Sequence, residues 1–411
     1  MLRVELKRIL KTRSTWCLFA IAFVLGIFFA FYAVRATCSY DLYDSTGQIL
    51  KGSEAYEYNK EKYASIKGEI RPELIAEAVK VEHELLAQYG NAYNIPPEIS
   101  RKVLRPYGPV YTWIYNSFSS EDGMPLASKD ISPEQALGFY QARMDTLKRI
   151  LTVEKYEQHP QVLSYVQART DNTVTNFNYS YGIGSSEAFY NLSISAFLLT
   201  LIGALIATPI FSADYASGAD DILRCTRRGR RKLALTKLSS ALIVSLSIFI
   251  ISVGAFLIIT YTAFGFDDIT SAELLTLGVR WNPESLTAMG FMGMILLSSL
   301  LTYLAMTCFT LFLSSKLKTP LVVLAIAIAV MVVPIVMTIL GIDWNIIDWI
   351  RFCLPSGGLP LTMFIEFASL RFLWLGDFVT WSPYVILIAA AVQIPIWLGL
   401  AVRAYNKHEA A

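Results

Sequence analysis

Six long apolar stretches govern what this chain can fold into. A helix needs ~20 apolar residues to cross a hydrocarbon core of ~30 Å. Within lipid, every backbone N–H and C=O must be satisfied inside the segment, so each stretch is expected to be a helix. The stretches are residues 16–34 (WCLFAIAFVLGIFFAFYAV), 192–211, 238–264, 286–313, 320–341 and 383–402. The first has the basic start of a secretory signal. It is longer than such a signal's apolar region, and no small-residue cleavage pattern follows in VRATCSY, so it is read as a retained helix. With 54% hydrophobic and 17% charged residues, the chain is too apolar for an ordinary soluble enzyme. The expected class is an all-α polytopic membrane protein with six transmembrane helices.

Charge is segregated along the chain, and this sets the expected orientation. Arg3, Lys7, Arg8, Lys11 and Arg13 precede the first stretch. Arg224, Arg227, Arg228, Arg230, Arg231, Lys232 and Lys237 lie between the second and third, Lys316 and Lys318 after the fourth, and Arg403 and Lys407 after the sixth. With six spans all these segments share one side, which places both termini in the cytoplasm. Asp267, Asp268, Glu273 and Glu284 fall opposite.

Two segments beside the spans have their own character. Residues 1–15 form an expected cytoplasmic amphipathic helix, with Leu2, Leu6, Ile9 and Leu10 on one face and Lys7, Arg8 and Lys11 elsewhere. The alternative is a plain basic flank. Residues 344–381 are apolar but interrupted by Pro355, Gly357, Gly358 and Pro360, then by Glu366 and Arg371. Short broken external helices are expected there, with Trp344, Trp349, Trp374 and Trp381 at the interface. Charge at membrane depth is costly, so Glu366 and Arg371 are expected to pair or to face water; a surface helix with solvated charges is the alternative.

Residues 35–191, between the first two spans, are long enough for a core of their own. Their signals are mostly helical. The stretch 71–90 has Pro72 in its first turn and Gly90 as a stop; 132–156 opens on Ser132, Pro133 and Gln135, a capping box. Segments 53–67 and 160–170 also read as helices, whereas VYTWIYNSF, 110–118, reads as a strand.

Few chemical motifs are present. Cys17, Cys38, Cys225, Cys308 and Cys353 form no CxxC pair, and nothing brings Cys38 and Cys353 together. His83 and His159 stand alone in the external domain and read as solvated helix residues rather than ligands, so no metal site is expected. No GxSxG, HExxH or paired intramembrane Asp supports a hydrolase or protease. No Walker A pattern occurs, so any ATP hydrolysis must belong to another chain. A short loop between two spans has no room for a nucleic-acid-reading module, so no nucleic-acid partner is expected.

The loop 212–237 carries the most specific pattern. Asp214, Tyr215 and Gly218 precede Asp220, Asp221, Ile222, Leu223 and Arg224; then come Arg227 and Arg228, with Lys237 at the entrance of the third span. This order resembles the cytoplasmic loop of type-2 ABC (ABC-2) exporter permeases, in which an acid, a Gly, a Leu-bearing short helix, an Arg and a Lys recur. The family often has Glu and Pro where this chain has Asp214 and Thr226. The six spans, the N-terminal surface helix, the LPSGG turn at 354–358 and the external broken helices extend the resemblance along the chain. It is similar to the branch with a large extracellular domain between spans one and two.

That resemblance implies a permease subunit in a cell membrane, bacterial in type, paired with a second permease chain and docked on a separate cytoplasmic ABC ATPase that holds ATP and Mg. Asp214 through Arg224 would couple to that ATPase, and residues 213–224 would form the coupling helix. Ile222 and Leu223 on an exposed short helix ask for a partner to cover them. Arg227, Arg228 and Lys237 would anchor the loop inside and meet anionic membrane lipid. In such folds spans two and five line the pathway, which nominates Ser193, Ser195, Thr200 and Thr208 on one and Met331, Met337 and Thr338 on the other. Packing of small residues is the plain alternative for these. The implied cargo is amphipathic or lipophilic. A different class, a membrane-anchored sensor or scaffold whose external domain binds a ligand, needs fewer spans than this chain has.

Overall fold

The computed structural model describes residues 1–43, 48–151, 154–170, 177–224, 230–272, 286–342, 344–368 and 371–407. Among the described residues, six helices are long and apolar enough to cross a membrane: Arg13–Ala36, Ala188–Ser217, Arg231–Phe264, Ala288–Lys316, Pro320–Ile339 and Ser382–Lys407. We call them spans one to six. Several run past their apolar stretches into charged flanks, because Lys and Arg are good helix formers and carry their charges to water on long stems. Before span one, a separate helix Leu2–Lys11 ends at Thr12, whose extended backbone turns the chain into Arg13. Ile9 is buried and Leu6 and Leu10 pack against the core, while Leu2 stays exposed.

Spans two and four form the centre, 67% and 61% buried, against 22% for spans one, five and six. Lipid tails are as apolar as Leu, so helices here associate through close packing of small residues. Span one buries Ala22, Gly26, Ala30 and Ala33. Gly26 lies so near the carbonyl of Ser252 on span three that a Cβ would overlap it, and the Ser252 hydroxyl donates to the Ala22 carbonyl at 2.6 Å. Likewise, a Cβ on Gly203 would stand 2.8 Å from the Tyr303 ring. Tyr303 is itself fully buried and donates to the Ser245 carbonyl at 2.8 Å, which joins spans two, three and four.

Pro209 interrupts span two, which continues as Pro209–Ser217. Ser314 of span four fills the break. Its hydroxyl donates to the Thr208 carbonyl at 2.7 Å and accepts from the Phe211 and Ser212 amides, both at 3.1 Å.

Among its described residues, the domain between spans one and two is mostly helical, with two small antiparallel pairs: Cys38–Tyr43 with Ile49–Lys51, and Gly68–Glu69 with Asn178–Tyr179. Helices Pro72–Tyr89 and Pro160–Thr170 stand where expected, with Gly90 at φ 82° ending the first of them; the helix expected over 53–67 ends at Lys62 and is followed by a tighter turn, Ala64–Ile66. The segment read as a strand at 110–118 is instead the helix Gly108–Ser117. Its buried residues Val110, Trp113 and Ile114 repeat at helical spacing, and Pro109 starts the helix. The continuous helix expected over 132–156 is broken. The Ser132–Gln135 capping box is present, but the chain turns near Gly138 before Phe139–Leu151.

The stretch 344–381 folds as helices Asn345–Phe352 and Pro360–Ala368, then a hairpin, Phe372–Leu375 with Phe378–Trp381, where only helices were expected. The turn uses Gly376 at φ 58°, and a Gly-Asp pair between β-formers is itself a hairpin signal. Trp381, expected at an interface, is buried against Phe367 and Tyr384. The hairpin also docks the domain: the Tyr156 hydroxyl accepts from the Phe372 amide at 3.1 Å, and the His159 ring lies 4.3 Å from that of Trp374. His83 is half-buried, its ring bonded to the Ser128 carbonyl at 3.2 Å rather than solvated. Cys38 and Cys353 are free thiols.

A second joint lies beyond span three. Tyr56 of the domain donates to the Phe264 carbonyl, and the fully buried Asp268 carboxylate accepts from the Gly184 amide at 2.8 Å. Gly182 lets the chain pass over that carboxylate, where a Cβ would overlap it. Burial raises the Asp268 pKa above its ordinary 3.8, against the lowering effect of the Gly184 amide.

Two outcomes follow. Gly26→Leu overpacks the crossing of spans one and three and lowers stability by about 1–3 kcal/mol, read as a depressed Tm in detergent. Native Asp268 binds its proton more tightly than the unfolded chain does, so its contribution is most favourable at low pH and is lost as pH rises from the ordinary value through the raised one. The Tm of Asp268→Asn minus that of wild type should therefore increase from pH 4 to pH 8; a flat difference would count against this assignment.

Candidate functional site

The loop between spans two and three is closed at its base by its own first and last charged residues. Asp214, near the end of span two, is ion-paired with Lys237 in the second turn of span three, and Lys237 is fully buried. Arg8 of the N-terminal helix forks onto both Asp214 oxygens, at 2.8 and 3.2 Å, and also pairs with Glu5 at 2.9 Å. The cluster holds two acids and two bases, so burial leaves no net charge, which is the condition under which buried ions are tolerated. The rings of Phe211 and Tyr405 stand 5.3 and 5.9 Å from the Lys237 ammonium. Tyr215 is buried and donates to the Ser315 carbonyl at 3.0 Å. The N-terminal helix and spans two, three, four and six thus meet at one point.

Beyond this base the chain changes direction. Gly218 takes a left-handed conformation, φ 69° and ψ 5°, a common helix stop. It splits the expected coupling helix 213–224, and a separate turn of helix runs Ala219–Arg224. Asp214, Tyr215 and Asp220 face inward, whereas Ile222 is 75% exposed. Asp221, Leu223 and Arg224 lie on the same short helix; Arg227 and Arg228 fall outside the described residues.

Of the nominated pathway residues, Ser193, Thr200 and Thr208 are buried and donate to carbonyls four residues back, at 2.9, 2.9 and 2.7 Å. Ser195 is buried too. Met331 packs in a cluster with Ala204, Met306, Phe309, Ala327 and Leu359, where spans two, four and five meet the turn before Pro360. Met337 is half-buried, and the Thr338 hydroxyl accepts from Arg351 at 3.2 Å.

At the opposite end of the bundle, Glu366 and Arg371 pair at 3.1 Å within a closed ring of four charges. Arg371 also meets Asp348 at 2.7 Å, and Arg351 meets Asp348 at 3.0 Å and Glu366 at 3.2 Å. The Ser382 hydroxyl donates to Glu366 at 2.8 Å. Asp348, Arg351 and Glu366 are buried rather than solvated. Asp348 and Arg351 escaped the sequence reading, although an Asp and an Arg three apart in the apolar helix NIIDWIRF were a usable signal. Arg8 and Ser314 escaped as well, for their partners lie some two hundred and one hundred residues away. Among the described residues, no group of three or more His, Cys, Asp or Glu is placed to hold a metal.

Lys237→Met leaves Asp214 buried with less compensation and should cost about 3–5 kcal/mol. The double variant Asp214→Leu/Lys237→Met should melt closer to wild type than either single, which a double-mutant cycle on Tm checks.

The amino-acid sequence matches the family model described as ABC-2 family transporter protein over residues 1–348. No curated protein and no solved structure matches the chain.

Proposed function

The chain belongs to the ABC-2 transporter family, and from that premise we propose that it is the membrane-spanning permease of an exporter driven by a separate ABC ATPase, which holds ATP and Mg. The observation that carries this reading is the mounting of Ala219–Arg224. Its Ile222 is 75% exposed, on a short helix beyond a base locked by Asp214, Lys237 and Arg8. An exposed apolar side chain on a rigid support suits insertion into a groove of the ATPase. Because Asp214 joins span two to span three and to the N-terminal helix, a push on that short helix reaches three elements together.

In this reading both termini and the loop are cytoplasmic, and the helical domain lies outside the cell. Spans two and five move against a second permease chain, and the peripheral, apolar span five supplies part of that contact. Among the described residues, the buried ion pairs sit at the two ends of the bundle, while its middle is lined by Ser, Thr, Met, aliphatic and aromatic side chains. That interior suits an amphipathic or lipophilic cargo moved by alternating access.

Ile222→Asp should weaken ATPase association at least tenfold, as losing a buried apolar anchor worth about 2 kcal/mol implies, and leave the Tm of the isolated permease unchanged. Co-purification in mild detergent followed by an ATPase assay measures both. A wild-type chain that never brings down an ATPase from its native membrane would overturn the reading.

A further inference from the structure

The basic residues at the loop end of the bundle include two kinds that the geometry separates. Lys237 and Arg8 are satisfied internally by Asp214. Arg231, Lys316, Arg403 and Lys407 have no ion-pair partner among the described residues. Three of these four line one groove of about 600 Å³ between spans three and six. Its walls are apolar, with Leu235 and Leu242 facing Leu398 and Val402; Arg231, Arg403 and Lys407 stand at its mouth. Gly399 lies two turns before the end of span six, and a Cβ there would meet no atom within 4 Å, so its missing side chain is part of what opens the groove. On the other side of span six a groove of about 500 Å³ carries Lys316 together with the same Arg403 and Lys407. Among the described residues, no acidic residue lines either groove.

A basic last turn alone would be explained by the helix dipole. It would not explain an apolar trough running from those cations along two membrane-crossing helices. We infer that this groove binds an anionic phospholipid, its phosphate on Arg231, Arg403 and Lys407 and an acyl chain along Leu235, Leu242, Leu398 and Val402. Charge complementarity selects the occupant: unpaired cations at the mouth ask for phosphate, and an apolar floor at hydrocarbon depth asks for a chain attached to it. The bound lipid would brace span six, whose Tyr405 rings the Lys237–Asp214 pair, against the start of span three.

The test uses the full chain, delipidated in detergent and titrated with dioleoylphosphatidylglycerol or dioleoylphosphatidylcholine, with bound lipid counted by native mass spectrometry. Wild type should prefer the anionic lipid, and inorganic phosphate in excess should not displace it. Arg403→Gln/Lys407→Gln should weaken phosphatidylglycerol binding by about 25-fold, at about fivefold per surface charge removed. Gly399→Leu keeps every charge but fills the trough, and should lower binding of that lipid as well. Equal binding by wild type and both variants, equal affinity for the two lipids, or displacement by inorganic phosphate would each overturn the inference. So would loss of a permease dimer or of ATPase association in these variants without loss of lipid, since a protein partner would then be the occupant.

Discussion

Everything at the loop end of this protein depends on the buried pair Asp214–Lys237. A lone charge there would be expensive to bury. Arg8 and Glu5 complete a neutral cluster that draws in the N-terminal helix, and the rings of Phe211 and Tyr405 close over the ammonium. The pair therefore settles three matters together: the depth at which span three begins, the docking of the surface helix, and the point from which the short helix Ala219–Arg224 leaves the bundle. Ile222 projects beyond a base in which Asp214 and Tyr215 are packed against the spans.

The opposite end repeats the strategy with other residues. Asp348, Arg351, Glu366 and Arg371 form a ring in which each guanidinium serves both acids. It ties the two short helices before span six to one another and, through Thr338 and Ser382, to the ends of spans five and six. Between the two ends, contacts are made by small residues and by hydroxyls spent on backbone carbonyls. Among the described residues, the buried ion pairs are kept at the two ends.

Much of the fold was legible in the residues. Apolar runs long enough to span lipid admit one conformation, so the six helices and their alternation could be read directly. The capping box at Ser132 and the stop at Gly90 were legible for the same local reason. Short segments were not: VYTWIYNSF has strand-forming residues at helical spacing, and the domain core around Trp113 decided for the helix. FLWLGDFVTW carried a hairpin signal that its apolar surroundings masked. At the site, the order acid, Gly, short helix, Lys was visible, but not that its first and last members bind each other.

The sequence by itself determined which segments cross the membrane, where charge gathers, and that a loop with an exposed apolar turn joins spans two and three. These follow from transfer free energies and local backbone preferences, which act over a few residues. Only the tertiary structure decided that Asp214 turns inward to Lys237 and Arg8, that Ser314 repairs the break at Pro209, and that four charges close into a ring beyond span five. Apart from Asp348–Arg351, those contacts join separate elements, and they depend on helix rotation and depth. Packing of small residues such as Gly26 against Ser252 sets both, and hydropathy carries no information about either.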